Sequence, residues 1–400
     1  MASTGNWLAA TPLPYGEDAT HWERDAGLTC LGLRELGQDA RLVAQGPPAI
    51  RNDQPLILGS LEDFRNPDWW GRTRAEGVIL TAGGAPRHEP VARAIRACGL
   101  RLIVRLDSDG CKSPRVGFRR FLAWQNCHYH DQGRRFPWLL ALAKTLAFRW
   151  FKAAHDAGMC AHLGHAELIT IESPGAAALL QSLLVKLARA DLASRVQFVP
   201  HPVPAHFQFD SAVAKRRQLL AAGRWDSHFK DTPKLVRVLG EVLAREPECS
   251  AVVAGSRDDL VRAGLDRLPR SVVERVRVLG HVPHGTLRPL LQESQIVLCT
   301  SRSESFHLVA AQGLGCGCSV VGPAVLPSFV HFASSDSGTV APERSDAALV
   351  AATRAELAAW STGRRFPAAI SAVWRARLTA RAVAGELMRL AGERAGRGLP

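Results

Sequence analysis

The stretch that most limits the fold of this chain runs from Gln295 to Pro323, QIVLCTSRSESFHLVAAQGLGCGCSVVGP. Ile296 to Cys299 is a short apolar run with β-branched residues, which predicts a buried strand. Thr300 to Ser303 is a polar turn. From Glu304 onward the spacing predicts a helix rich in small residues: Ala310, Ala311, Gly313 and Gly315. Glycine and alanine there let another backbone, or a ligand, approach closely. Ser319 to Val321 begins a second strand. Strand, polar loop and helix form the unit that builds ligand sites at the carboxyl ends of parallel strands. Glu304 and Gln312 are eight residues apart, so a helix opening at Glu304 puts both on one face. Such a helix also places the Glu304 carboxylate where the N-terminal dipole favours it.

The same alternation fills the rest of the chain. Trp7 to Ala10 reads as a strand, and Thr11 to Gly16 as a turn-rich loop. Thr20 and Glu23 have capping-box spacing for a helix that Gly37 closes. Further strands are expected at Arg41–Ala44, Val78–Thr81, Leu102–Leu106 and Glu167–Ile171, with Gly83 and Gly84 ending the second of these. A long helix follows from Pro174 to about Asp191. Val196 to Pro204 carries a strand into a proline-rich turn, which marks an interdomain boundary. The second half gives strands at Leu219–Gly223, Ala251–Ala254 and Val276–Leu279, a helix from Pro233 to Arg245, and helices from Asp346 onward. Alternating strands and helices imply parallel sheets. The expectation is an α/β chain of two Rossmann-like doubly wound domains: residues 1–203, residues 204–372, and a terminal helix over 373–400 that returns to the first. Four hundred residues suffice for two such cores.

Composition narrows the function. No window is apolar for the length a membrane span needs. The opening residues lack the basic and apolar regions of a secretion signal. Nine cysteines lack metal-type spacing and read as reduced, buried thiols in a cytoplasmic protein. The formal net charge of +13 suits nucleic acid, an anionic membrane surface or phosphate-bearing substrates. No zinc finger, RNA-binding aromatic signature or basic run accompanies that charge, so nucleic acid is the weaker partner. Arg134 to Ala154 carries Trp, Phe, Leu, Lys and Arg at helical spacing. It reads either as packed core with a solvated basic edge or as an amphipathic helix on an anionic membrane. Asp107 to Gly110 follows a strand. Its two aspartates read as a turn or as ligands for a divalent metal.

Ser301, Glu304, Phe306, Gly317, Val320 and Val321 resemble the nucleotide-sugar signature of the retaining glycosyltransferases of family 4, which have the GT-B fold. Two positions depart: His307 stands where that family has Gly, and Gln312 stands where it has a second Glu. Gly223 and Arg224, with Lys230 six residues after the arginine, resemble the family's diphosphate-binding pattern. His281 and Val282 resemble the segment that frames the nucleotide base. Val196 to Pro204 resembles the interdomain segment.

The resemblance implies two domains facing across a cleft and the transfer of a sugar from a nucleotide-diphosphate sugar to an acceptor glycan, lipid or small molecule, with retention. It implies no metal or other cofactor; the expected setting is cytoplasmic cell-envelope polysaccharide synthesis, at the inner face of the plasma membrane only if the Arg134–Ala154 helix lies on it. Arg224 and Lys230 would stabilise the leaving diphosphate, Arg as a planar fork and Lys as a point charge. Glu304 would hold the donor sugar and Gln312 the ribose. By the same resemblance Gly16 would face the sugar donor, Ser305, Phe306 and His307 would lie at the donor, and Asp107 would take the place of an active-site His that contacts the donor sugar. Two other functions fit the same residues: a nucleotide-sugar epimerase, and a nucleotide-binding protein without catalysis.

Overall fold

The computed structural model describes residues 5–395 apart from 17–20, 48, 52–54, 83, 116, 151 and 335. It divides into two compact units. The first comprises Met1–Val116, Ala147–Pro204 and Arg377–Pro400, and the second Gly117–Leu146 and Ala205–Ala376.

The first unit is built on β1 (Asn6–Pro14), β2 (Asp39–Gln45), β3 (Ala49–Arg51), β4 (Leu56–Gly59), β5 (Gly77–Thr81), β6 (Arg101–Leu106), β7 (Leu168–Ile171) and β8 (Val196–Phe198). The sheet order is β3-β4-β2-β1-β5-β6-β7-β8, and only the β3–β4 pairing is antiparallel. Side chains alternate between faces, so a strand buried on both sides is apolar throughout. Leu8, Ala10, Val78, Leu80, Leu102 and Val104 enter one core. Trp7, Ala9, Ile79 and Ile103 enter the other, with Val383, Ala384 and Leu387 of the helix Ala380–Ala395. That terminal helix lies close against the helix Asp25–Glu35 because Gly32 has no Cβ; one built there would run into the Ala380 carbonyl.

The second unit holds β9 (Arg216–Ala222), β10 (Ser250–Ala254), β11 (Val276–Val278), β12 (Ser294–Leu298), β13 (Ser319–Pro323) and β14 (Gly338–Ala341). All are parallel, in the order β11-β10-β9-β12-β13-β14. Its core joins Leu219, Ala251, Val253, Ile296 and Leu298 to the helix Thr232–Arg245 through Leu235, Val238, Leu239 and Val242.

Several local expectations change. The helix expected from Glu304 begins at Leu308, because the backbone of His307 is left-handed (φ 70°) and breaks the run. Glu304 therefore lies in a loop and does not share a helical face with Gln312. The helix expected from Thr20 begins at Asp25; Thr20 itself, like Gly83, lies outside the described residues. The helix from Pro174 stops at Lys186, before Ala188 turns left-handed (φ 56°), and one turn follows at Ala190–Ala193. Arg134 to Ala154 holds the helix Pro137–Trp150 and the start of another, Lys152–Gly164. Strands β3, β4 and β14 were not anticipated.

Candidate functional site

At the carboxyl ends of β9 and β12 the second unit brings two of the expected residues together. Lys230 Nζ donates to Glu304 Oε1 at 2.7 Å. Their side chains are 23% and 13% exposed, so solvent or a ligand reaches the pair. Burial alone would lower the Lys230 pKa, but the Glu304 carboxylate outweighs it and holds the ammonium above its ordinary value. Burial likewise works to raise Glu304, and Lys230 overrides it and holds the carboxyl below the usual range. The site therefore keeps a fixed cation and a fixed anion side by side. Gly223 makes room for this: a Cβ there would stand 3.3 Å from Lys230 Cδ and Cε.

His307 caps the helix Leu308–Gly315. Its Nδ1 accepts from the Ala310 N–H at 3.1 Å, which requires the neutral ring, and burial lowers its pKa to about 4. A left-handed backbone at a non-glycine residue is strained, of order 1–3 kcal/mol, and the cap offsets part of that. Gly meets this backbone demand without strain, which gives the resemblance's Gly at this position a physical reason. Phe306 is core: its ring meets Phe332 edge-on at 5.1 Å. Gln312 is buried, 3% exposed, and its amide has no side-chain partner among the described residues. Ser305 lies in the loop, and His281 and Val282 lie in the turn after β11.

Cys299, Glu304 and His307 each bring one potential metal-ligand atom within 4.8 Å of the others. The Lys230 ammonium already supplies positive charge there, and burial pushes the Cys299 thiol up to about 12, so it is protonated at neutral pH.

Arg224 is placed differently. Its Nη2 donates to Asp131 Oδ2 at 3.0 Å, and its Nε lies 3.3 Å from Asp226 Oδ1. Asp131 was not singled out in the sequence: it ends a polar helix, Phe118–Asp131, and stands in no motif. The loop is also held from Asp231. That residue is left-handed (φ 52°), precedes the helix Thr232–Arg245, and is paired with Arg302 at 3.0 Å and with Arg344. A residue with a short acidic side chain just before Thr-Pro was the available signal for it.

In the first unit, Asp107 opens on a cavity of about 480 Å³ at the carboxyl ends of the strands, with Gln45, Thr81, Arg65, Arg87 and His88 in its lining. Asp109 Oδ1 accepts from Cys111 N at 3.0 Å, as in an ordinary Asx turn. Behind Asp107 the Glu172 carboxyl is buried and accepts from Ser108 N at 3.2 Å; burial, then the Asp107 charge, raise its pKa well above the usual range. Gly16 donates its N–H to His21 Nδ1 at 3.3 Å and so belongs to the loop's own framework.

Residues 216–358 match the family model described as Glycosyl transferases group 1. The GDP-mannose:cellobiosyl-diphosphopolyprenol alpha-mannosyltransferase of Xanthomonas oryzae is 26% identical over 154 residues, 38% of this chain and 40% of that protein. A phosphatidylinositol N-acetylglucosaminyltransferase subunit from Arabidopsis thaliana is 34% identical over 104 residues, 24% of this chain and 23% of that protein. The matches thus span about two fifths or less of these relatives. The crystal structure of Anabaena Alr3699/HepE in complex with UDP superposes with a TM-score of 0.64 at 12% identity, covering 97% of this chain and 100% of that one. Residues 216–358 therefore carry a group 1 glycosyltransferase domain, in a chain whose two Rossmann-like units give it the GT-B fold.

Proposed function

We propose that the protein is a retaining glycosyltransferase that moves a sugar from a nucleotide-diphosphate sugar to an acceptor hydroxyl. The observation that carries this reading is the accessible Lys230–Glu304 pair at the strand ends of the matched domain. As the glycosidic bond breaks, the leaving diphosphate gains charge. Lys230 and Arg224 stabilise that charge in the transition state more than in the ground state, which is the requirement for catalysis. Glu304 accepts hydrogen bonds from donor-sugar hydroxyls, and the Phe306 and His307 backbone region adds to phosphate binding. The buried Gln312 amide meets the ribose. No step uses a metal, and the leaving phosphate itself takes the proton of the incoming hydroxyl. The acceptor binds the first unit at the cavity that Asp107 lines. The relatives act on GDP-mannose with a lipid-linked diphosphate acceptor and on phosphatidylinositol, which supports a lipid-linked acceptor here. The test is nucleoside diphosphate release from a panel of sugar nucleotides, run with EDTA. Release that needs the acceptor and survives EDTA is expected. Product without an acceptor would make the protein an epimerase, and nucleotide binding without release would make it a binding protein.

The helix Pro137–Trp150 supports peripheral contact with an anionic membrane. Trp138, Leu139, Leu140 and Leu146 on it, and Phe136 just before it, are exposed apolar side chains. Arg134 and Arg135 precede them, and the sequence has no acidic residue between Asp131 and Asp156. Among the described residues no helix is long and apolar enough to cross a membrane. The expected result is sedimentation with anionic vesicles at low salt and partial release at high salt. No binding at any salt would leave the packed-core reading.

A further inference from the structure

The diphosphate assigned to Arg224 has a competitor on the same unit. Three donors of the loop after β9 converge on the Asp131 carboxylate. Arg224 Nη2 and Ser227 Oγ donate to Oδ2 at 3.0 and 2.7 Å, and the His228 N–H donates to Oδ1 at 2.7 Å. A guanidinium, a hydroxyl and a backbone N–H aimed at one anion are what a phosphate oxygen pair asks for. The position is costly for Asp131 itself. It is the last residue of the helix Phe118–Asp131, where the helix dipole disfavours a carboxylate. What holds it there is the loop: the ring of His130 stacks on that of His228, centroids 3.9 Å apart, and the carboxylate fills the three donors. Gly133 (φ 66°) then turns the chain out of the helix. His228 is neutral near pH 7, its pKa lowered to about 4 by burial and by Arg302 and His130, so the stack carries no charge repulsion there.

We propose that Arg224, Ser227 Oγ and the His228 N–H form a phosphate cradle, and that the Asp131 carboxylate is an intramolecular competitor which the donor diphosphate displaces. The inference builds on the donor site proposed above. It adds Ser227 and His228 to that site, and it makes Asp131 a brake on donor binding.

The test is calorimetric titration of UDP and GDP into the full chain, its Asp131→Asn, Asp131→Ala and Lys230→Ala variants, and Ser227→Ala made on the Asp131→Ala background. Removing the competing charge should tighten the nucleotide that binds by roughly tenfold, since charged hydrogen bonds are the strong ones. Asp131→Asn keeps the side-chain shape and guards against a folding defect. Ser227→Ala should give back part of the gain. If both Asp131 variants bind equally or more weakly while Lys230→Ala abolishes binding, Asp131 only positions Arg224 and the competitor is refuted. If Lys230→Ala binds as well as the wild type, the donor site itself is wrongly placed and the cradle falls with it.

Discussion

Each unit places an ion pair at the carboxyl end of its central strands, and the two pairs differ in bonding and in exposure. In the first unit Arg105 meets Asp25 through two hydrogen bonds of 2.9 Å, and its Nη2 also donates to Pro200 O at 3.0 Å. These side chains are 1% and 8% exposed. In the second, Lys230 and Glu304 share a single bond and remain reachable. A sealed, bidentate pair holds a fold in register and has little capacity for a ligand. A reachable pair joined by one bond keeps donors on Lys230 for a substrate, although Glu304 also accepts from the Ser301 side chain. The first unit puts its reachable chemistry elsewhere, in the cavity with Asp107, where Arg65 and Arg87 have no carboxylate partner among the described residues. Under the proposed function, this difference would separate a unit that grips one defined group from one whose cavity takes the acceptor.

The comparison breaks most sharply at Arg105. Arg105→Met strands a buried Asp25 and should lower stability by about 3–5 kcal/mol in urea unfolding. A loss under 1 kcal/mol would mean the pair is not sealed. Lys230→Ala should cost the fold less, because solvent reaches the Glu304 it leaves behind, and raise the barrier to transfer by about 3–4 kcal/mol. Near-normal turnover would remove the diphosphate from Lys230.

The pH dependence of stability sharpens the second unit. Burial holds His307 at about 4 in the folded chain, against an ordinary 6.5. The unfolded chain therefore takes up the proton first as pH falls. Stability is full above about 6.5 and declines toward pH 4, by about 3 kcal/mol for this residue. His307→Asn keeps a cap and tolerates the left-handed backbone, so it should flatten that decline while costing little at pH 7. An unchanged slope would show that His307 does not titrate this way.

The smallest effect is expected at Gln312. Gln312→Glu should tighten the nucleotide by up to about tenfold in calorimetric titration, because a carboxylate bonds the ribose hydroxyls more strongly than an amide. Gln312→Ala should loosen it. No change in either variant would place the ribose elsewhere.

Much of the architecture was legible in the sequence because β1, β2, β5, β6, β9, β10 and β12 each contain a short apolar run that is buried. The short strands β4 and β14 were not, since four residues such as Gly338–Ala341 are paired by their neighbours and not by their own pattern. Lys230 and Glu304 could be named from motif spacing, but the loop that brings them together could not. It depends on the left-handed His307, a conformation that side-chain pattern does not reveal. Asp131 and the Arg105–Asp25 pair were missed for the same physical reason. Each is a contact between residues more than 75 positions apart, and a single charged residue in a helix or strand carries no local mark of its partner.

The central claim is that the second unit holds a nucleoside diphosphate at Lys230. It is tested most directly by a crystal structure with whichever of UDP or GDP binds more tightly. The prediction is a terminal phosphate within hydrogen-bond distance of Lys230 Nζ and Arg224, the ribose on Gln312, and Asp131 displaced from Arg224. A nucleotide seated in the Asp107 cavity of the first unit, or one whose phosphates touch neither cation, would contradict it.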